Sequence, residues 1–233
     1  PEAQVRVLPG APKGEPVTDP RDMQAPSGFH SDAGLDLPDL SEDPFAQFRR
    51  WLADAEAADV PLPNAMSLAT VGTDGSPTLR HVLLKGLDTG FVFNTNKESR
   101  KGRQLSGDPR AALSFLWKKL DRQVNILGSV EDVAESESER YFAERPREAR
   151  IGAWASPQSQ VIAGREELEA AVREIETRFP LGSPVPKPPR WGGYRLIPHE
   201  IEFWQGRRFR LHDRFRYRRT GSETDWTIER LAP

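Results

Sequence analysis

The chain has 233 residues, with 33 Lys and Arg against 35 Asp and Glu and a formal net charge of −2; this fits one large domain and excludes a generally basic nucleic-acid binder. Cysteine is absent, and the four histidines (His30, His81, His199, His212) lack metal-ligand spacing, so disulfides, thiol catalysis and a metal centre are not expected. No apolar run reaches membrane-spanning length and no signal-peptide pattern opens the chain, so a soluble, cytoplasmic protein is expected, its start at Pro1 without Met being read as trimmed or processed.

Residues 1–42 are rich in Pro, Gly and Asp without an apolar period and are expected to be a flexible N-terminal arm, leaving 43–233 as the folded domain. Asp43-Pro44 is an N-cap followed by Pro at the first helical position, and Phe45, Phe48, Leu52 and Ala55 form the stripe of the helix it opens. Strand patterns follow at 65–71, 77–85 and 90–95, the first two joined by Thr73-Asp74-Gly75-Ser76, and again at 111–117 and 123–130. Between these groups, 98–105 reads as a short helix carrying Arg100, Lys101 and Arg103. Helices are expected at 135–144, 147–155 and 165–179. After a proline-rich connection at 180–190, strands are expected at 193–197, 200–205, 209–218 and 226–231. Short connections argue for antiparallel pairing, hence an α+β protein built on a β-barrel.

The most distinctive stretch runs from Arg207 to Tyr217. Read as a strand over 208–217, it places Arg208, Arg210, His212, Arg214 and Arg216 on one face and Phe209, Leu211, Phe215 and Tyr217 on the other. A row of like charges is unfavourable unless an anion lies across it, and a solvated face is the alternative.

No glycine loop for phosphate is present, so an anionic cofactor would be held by side chains. Three further groups could do so. In Arg80-His81-Val82-Leu83-Leu84-Lys85 the two cations alternate onto opposite faces and would serve different groups. Thr95-Asn96 with Ser99-Arg100-Lys101 combines hydroxyls, cations and helix amides, which suits a phosphate. On a helix Tyr141 and Arg145 share a face and could clamp a second phosphate, the alternative being an ordinary surface pair.

With these residues in view, the chain from about Asp43 to Pro233 resembles the pyridoxine (pyridoxamine) 5′-phosphate oxidase family. The matching stretches include Arg80–Lys85, Thr95-Asn96-x-x-Ser99-Arg100-Lys101, Arg122-Gln123-Val124, Tyr141-Phe142-x-x-Arg145-Pro146-Arg147, Ile151–Ser156, Gln158-Ser159, Trp191–Tyr194, Ile201–Gly206, Arg210–Arg214 and Arg230–Pro233. The resemblance implies a homodimeric FMN-binding split β-barrel, antiparallel and Greek-key-like with flanking helices, whose flavin sites lie at the subunit interface. It assigns FMN contacts to Arg80, His81, Val82, Leu83, Leu84, Lys85, Asn94, Thr95, Arg100, Lys101, Gln123, Gln158, Ser159, Trp204 and Arg214. Substrate phosphate contacts fall on Lys85, Tyr141 and Arg145, and pyridine-ring contacts on Arg210, Leu211 and His212, with Arg210 and His212 as the catalytic pair. The implied reaction is oxidation of pyridoxine 5′-phosphate or pyridoxamine 5′-phosphate by O2 to pyridoxal 5′-phosphate, releasing hydrogen peroxide, and ammonia from the amine.

Three departures stand out. Many members have serine where this chain has Ala149, an aromatic where it has Asn94, and an Arg and a Tyr in the arm where it has Met23–Gly28. Two rival readings follow: a sister oxidase of the phenazine-pathway type, and a non-catalytic flavin- or nucleic-acid-binding barrel using the arginine strand.

Overall fold

The computed structural model describes residues 34–221 and 225–233. The expected arm lies outside the described residues as far as 33, including the stretch 23–28. Residues 35–42, assigned to that arm from sequence, are packed onto the domain. Leu35 is 6% exposed, and its N–H donates to Asp213 at 3.1 Å. Arg230 holds Asp36 at 2.7 Å, and the Tyr217 hydroxyl donates to the Ser41 carbonyl at 2.6 Å. The partners lie some 180 residues away, which is why a composition-based reading misses them.

Helix α1 (Pro44–Ala57) starts where the sequence places it, the Asp43 carboxylate accepting from the N–H groups of Phe45 and Ala46. The hairpin β1 (Ala65–Val71) and β2 (Pro77–Leu83) follows, turning through Gly75 at φ 79°. Next come β3 (Gly86–Leu87), β4 (Phe91–Asn96), α2 (Arg100–Gly107), β5 (Arg110–Trp117) and β6 (Arg122–Asp132). Helices α3 (Glu135–Glu144), α4 (Arg147–Ala155) and α5 (Arg165–Arg178) precede β7 (Trp191–Gln205), β8 (Asp213–Arg219) and β9 (Trp226–Leu231).

Every pairing is antiparallel. The strands run β2-β1-β5-β6-β7-β4-β3, and β8 pairs with β7 and then β9. This is a curled split-barrel sheet with helices around it. The two strands expected at 193–197 and 200–205 are one. Leu127 pairs with Glu200 and Gly128 with Pro198, so His199 bulges out and the ladder tolerates Pro198. Gly128 is required there, since a Cβ would lie 2.2 Å from the Ile197 carbonyl oxygen.

The arginine strand needs correction. Strand β8 begins only at Asp213. Arg208–Arg210 form a 3₁₀ turn in which Phe209 and Arg210 have φ of 59° and 62°, a left-handed pair without glycine that costs about 1–2 kcal/mol per residue. Alternation is broken there. Phe209 and Leu211 are 90% and 65% exposed, whereas Phe215 and Tyr217 are buried as expected. The remaining arginines are paired: Arg214 with Glu202 at 2.7 Å, and Arg216 with Glu229 at 2.6 Å and Glu200 at 3.7 Å. Two adjacent strands supply the carboxylates that a single-strand reading cannot see.

The core lies between α1 and the inner sheet face. Phe48 is fully buried, with ring centroids of Phe91, Phe115 and Trp117 at 5.0, 4.9 and 5.9 Å. Trp51 packs edge-on against Phe203 at 5.2 Å. Phe48→Ala is expected to destabilise the domain by about 3–5 kcal/mol, lowering Tm by roughly 6–20 °C. Calorimetry checks this, and a shift under about 2 °C would show that α1 is not part of the core.

Candidate functional site

A cavity of about 790 Å³ opens between the β2 edge, the start of α2 and the α3–α4 corner, a volume within the range of small-molecule sites. Its lining includes His81, Val82, Leu83, Lys85, Asn94, Thr95, Lys101, Tyr141, Arg145, Ala149 and Gln158. The structure thus brings together ten of the expected site residues, with the departure Ala149 beside them.

At one end of the cavity α2 begins. The sequence places its start at Glu98, but Ser99 is the N-cap; its buried hydroxyl accepts from Gly102 N–H at 3.3 Å. That hydroxyl, expected to face an anion, caps the helix instead. Gly102 is needed for the approach, because a Cβ would stand 2.1 Å from the Lys97 carbonyl oxygen. Lys101 turns into the cavity, donating to Thr95 Oγ1 at 3.0 Å and Gln158 Oε1 at 2.9 Å. Arg80 lies on the inner side of β2. It donates to the Leu68 carbonyl at 3.0 Å and to Thr70 Oγ1 at 2.6 Å, and the same threonine donates to Gln104 Oε1 at 2.7 Å. This network ties β1, β2 and α2 together.

At the other end, Arg145 sits over the rings of Trp191 and Phe142 at 5.1 and 5.4 Å, and Lys85 over Tyr141 at 5.7 Å. Tyr141 stacks on Trp191 at 6.0 Å and 10°. Arg145 Nη1 is a buried donor without a hydrogen-bond partner among the described residues, an arrangement that favours a ligand acceptor.

Charge separates these cations from the others. Burial pushes Arg145 below its ordinary guanidinium value, only partly offset by Tyr141. Burial, then Arg100, lowers Arg80; burial, then Arg80, lowers Lys101. None of Arg80, Lys85, Arg100, Lys101 and Arg145 makes an ion pair with a carboxylate among the described residues, and Arg100 influences Asp74 only at longer range. Arg214 and Arg216 are raised instead, through hydrogen bonds to Glu202 and Glu229. Desolvated cations without carboxylates, Arg80 and Lys101 at one end and Arg145 at the other, make an anion site.

The other expected residues lie elsewhere in this chain. Leu84 is buried and donates its N–H to the Asn64 carbonyl. Arg100 opens α2 and Ser159 stands beside Gln158 at φ 71°, but neither lines the cavity. Gln123, Trp204 and Arg214 are cross-strand neighbours on β6, β7 and β8, on the sheet face opposite the core. His212 packs on Trp204, ring centroids 4.5 Å apart, and its Nδ1 accepts the Arg207 N–H at 3.1 Å. Arg210 and Leu211 belong to the turn before it. Burial, then Arg210 and Arg214, hold the His212 imidazole below its ordinary value, against Asp213.

Trp191, Gln104 and Thr70 carry no site role in the sequence reading. The place of Trp191 in a family-matching stretch, directly after a proline-rich connection, is a signal for the first. The other two depend on strand register. Among the described residues no group of His, Asp and Glu could hold a metal ion, and no helix is long and apolar enough to cross a membrane.

The chain matches two family profiles, described as pyridoxamine 5′-phosphate oxidase over residues 52–179 and pyridoxine 5′-phosphate oxidase C-terminal dimerisation region over 191–233. Proteins named pyridoxine/pyridoxamine 5′-phosphate oxidase from Burkholderia lata and Salinibacter ruber are 55% and 54% identical to it, over 88% and 86% of this chain and 95% and 94% of theirs. The solved structure of PhzG from Burkholderia lata 383 in complex with tetrahydrophenazine-1-carboxylic acid aligns with TM-score 0.79 and 37% identity, covering 84% of this chain and 95% of that one. A pyridoxamine 5′-phosphate oxidase-related, FMN-binding protein from Nostoc punctiforme PCC 73102, at 18% identity and TM-score 0.66, shares the fold.

Lys101→Met removes a desolvated charge from beside Arg80. Ligand-free protein carrying it is expected to keep its Tm or gain up to about 4 °C. A loss of several degrees would mean that the ammonium stabilises the fold and is not held there for a ligand.

Proposed function

The chain belongs to the pyridoxamine 5′-phosphate oxidase family, and we propose that it is an FMN-dependent oxidase that converts pyridoxine 5′-phosphate or pyridoxamine 5′-phosphate to pyridoxal 5′-phosphate. The observation that carries this reading is the cavity with desolvated cations at both ends and no carboxylate paired to them among the described residues. Two phosphate-bearing ring systems, cofactor and substrate, would satisfy both ends.

The residues fit a flavin phosphate at the α2 end. Lys101, Arg80 and Arg100 supply charge, Thr95 and Gln158 neutral hydrogen bonds, and Asn94 with the 80–85 segment the adjoining wall. FMN bound there would supply a hydride acceptor for oxidation at the substrate's 4′ carbon, with O2 as the final electron acceptor and hydrogen peroxide as the product. The chain's own work is positioning. Lys85, Tyr141 and Arg145 bind the substrate phosphate, and the Trp191 ring beneath Tyr141 and Arg145 fixes where they point. Arg210 and His212 orient the pyridine ring, and a guanidinium there stabilises charge as it shifts. With the amine substrate, the imine product hydrolyses to release ammonia.

In one chain the two sets of residues are apart, and we propose a homodimer in which Gln123, Trp204, Arg210, His212 and Arg214 reach the cavity from the partner subunit. The outer sheet face supports this. Leu79, Ala69, Ala112 and Leu127 form an apolar row in register, with Leu79 67% exposed, and Leu116, 60% exposed, lies next to Gln123. A sheet face turned to water is ordinarily polar. The C-terminal match to a dimerisation region lends further support.

A second reading has one observation in its favour. Ala149, Gly152 and Ala153 leave the α4 wall of the cavity low, and PhzG, which shares the fold, was solved with a tricyclic acid. Arg145 could hold a carboxylate there. A substrate panel with peroxide detection separates the two readings.

Arg145→Ala is expected to raise KM for the phosphorylated substrate about ten- to hundredfold, from the loss of charge-assisted hydrogen bonds of roughly 1.5–3 kcal/mol, while FMN content stays unchanged. Arg210→Met is expected to slow flavin reduction in single turnovers with FMN retained. Equal turnover of phosphorylated and unphosphorylated substrates by the unmodified protein would show that no phosphate clamp operates.

A further inference from the structure

Between β7 and β8 the chain makes a turn that its own residues do not favour. Phe209 and Arg210 are consecutive left-handed residues, and Phe209 is nearly fully exposed within one chain, so packing inside the chain does not hold it there. Leu211 N–H closes the turn on the Arg208 carbonyl at 3.2 Å. The ends are joined by the hydrogen bond from Arg207 N–H to His212 Nδ1 at 3.1 Å, with the imidazole lodged against Trp204. A ring nitrogen that accepts a backbone N–H must keep its lone pair, which fixes both the tautomer and the neutral state.

We infer that His212 is a positioning residue: as a neutral imidazole it latches the 207–212 turn through Nδ1 and so holds Arg210 in place, instead of moving protons. This rests on the proposed oxidase reading for what Arg210 does, but not for the latch itself. Protonating Nδ1 would set two donors against each other and open the turn. Among the described residues, Arg210 of the turn and Arg214 of β8 favour the neutral ring, and Asp213 opposes them. Asp213 is engaged by Leu35 N–H at 3.1 Å, Arg230 at 3.0 Å and Arg207 at 3.5 Å, and Glu202 of β7 by Arg214. The latch is therefore present at neutral pH and lost as pH falls through the depressed His212 value.

The test is made on the flavin-loaded protein by NMR, following His212 ring nitrogens and Arg207 amide exchange together from about pH 8 to pH 4.5. The Arg207 protection factor is expected to be constant while the ring is neutral and to fall at least about tenfold as Nδ1 gains its proton. His212→Asn places an amide oxygen where Nδ1 stood, so Arg207 protection should stay within about threefold of the unmodified value at pH 8 and should not vary with pH. His212→Ala should lose protection at every pH. Arg207 protection that ignores the ring titration would overturn the latch, as would an asparagine variant whose Arg207 amide is as unprotected as in the alanine one. Protection that tracks the ring in a protein without oxidase activity would uphold the latch and refute the oxidase reading instead.

Discussion

A cavity lined by Lys85, Lys101 and Arg145, with Arg80 behind it and no carboxylate partner for any of them among the described residues, is the feature to which the rest of this structure is fitted. Burying a charge is unfavourable unless something compensates it. Elsewhere in the sheet the compensation is built in, as Glu202 does for Arg214 and Glu229 for Arg216. Around the cavity neutral groups stand where acids would be expected: Thr70, Thr78 and Gln104 around Arg80, Thr95 and Gln158 around Lys101, and Trp191 beneath Arg145. Neutral partners orient a cation without discharging it, so its field remains available to an anionic ligand.

The fold places these groups with little freedom. Strand β2 carries Arg80 inward and His81 outward because neighbours in a strand alternate. The Ser99 cap and Gly102 bring α2 against the end of β4, which directs Lys101 to the same space. Trp191 opens β7 opposite Asn96 and gives Tyr141 of α3 and Arg145, the extended residue that ends that helix, a rigid surface. Specific side chains are therefore fixed by elements that are themselves fixed by the α1 core.

Much of this was legible in the sequence. Alternation and turn chemistry locate β1, β6 and β9 within a few residues, and helical period with capping locates α1, α3 and α4. The cation-bearing segments at 80–85, 99–101 and 141–145 stand out because no glycine loop competes for the same task. Legibility failed where the determining contact was distant or depended on conformation. Strand parity over 208–217 ignored the left-handed turn at Phe209 and Arg210, since a bulky residue at positive φ has no sequence signal. It also treated Arg214 and Arg216 as open charges, because Glu202 and Glu229 meet them only through register. Residues 35–42 looked like part of an arm because Asp213, Tyr217 and Arg230 are far along the chain.

In the proposed homodimer each site is shared, with cavity cations from one subunit and the Trp204–Arg214 face from the other. Subunit mixing tests this sharing most directly. Arg145→Ala and Arg214→Ala homodimers, each of low activity, would be combined, dissociated and reassociated, and flavin reduction by the phosphorylated substrate measured. A shared site predicts that each mixed dimer carries one intact site and one doubly defective site, so that random reassociation restores about a quarter of the unmodified site count. Activity no higher than the average of the two parents would contradict it and place the whole site within one chain.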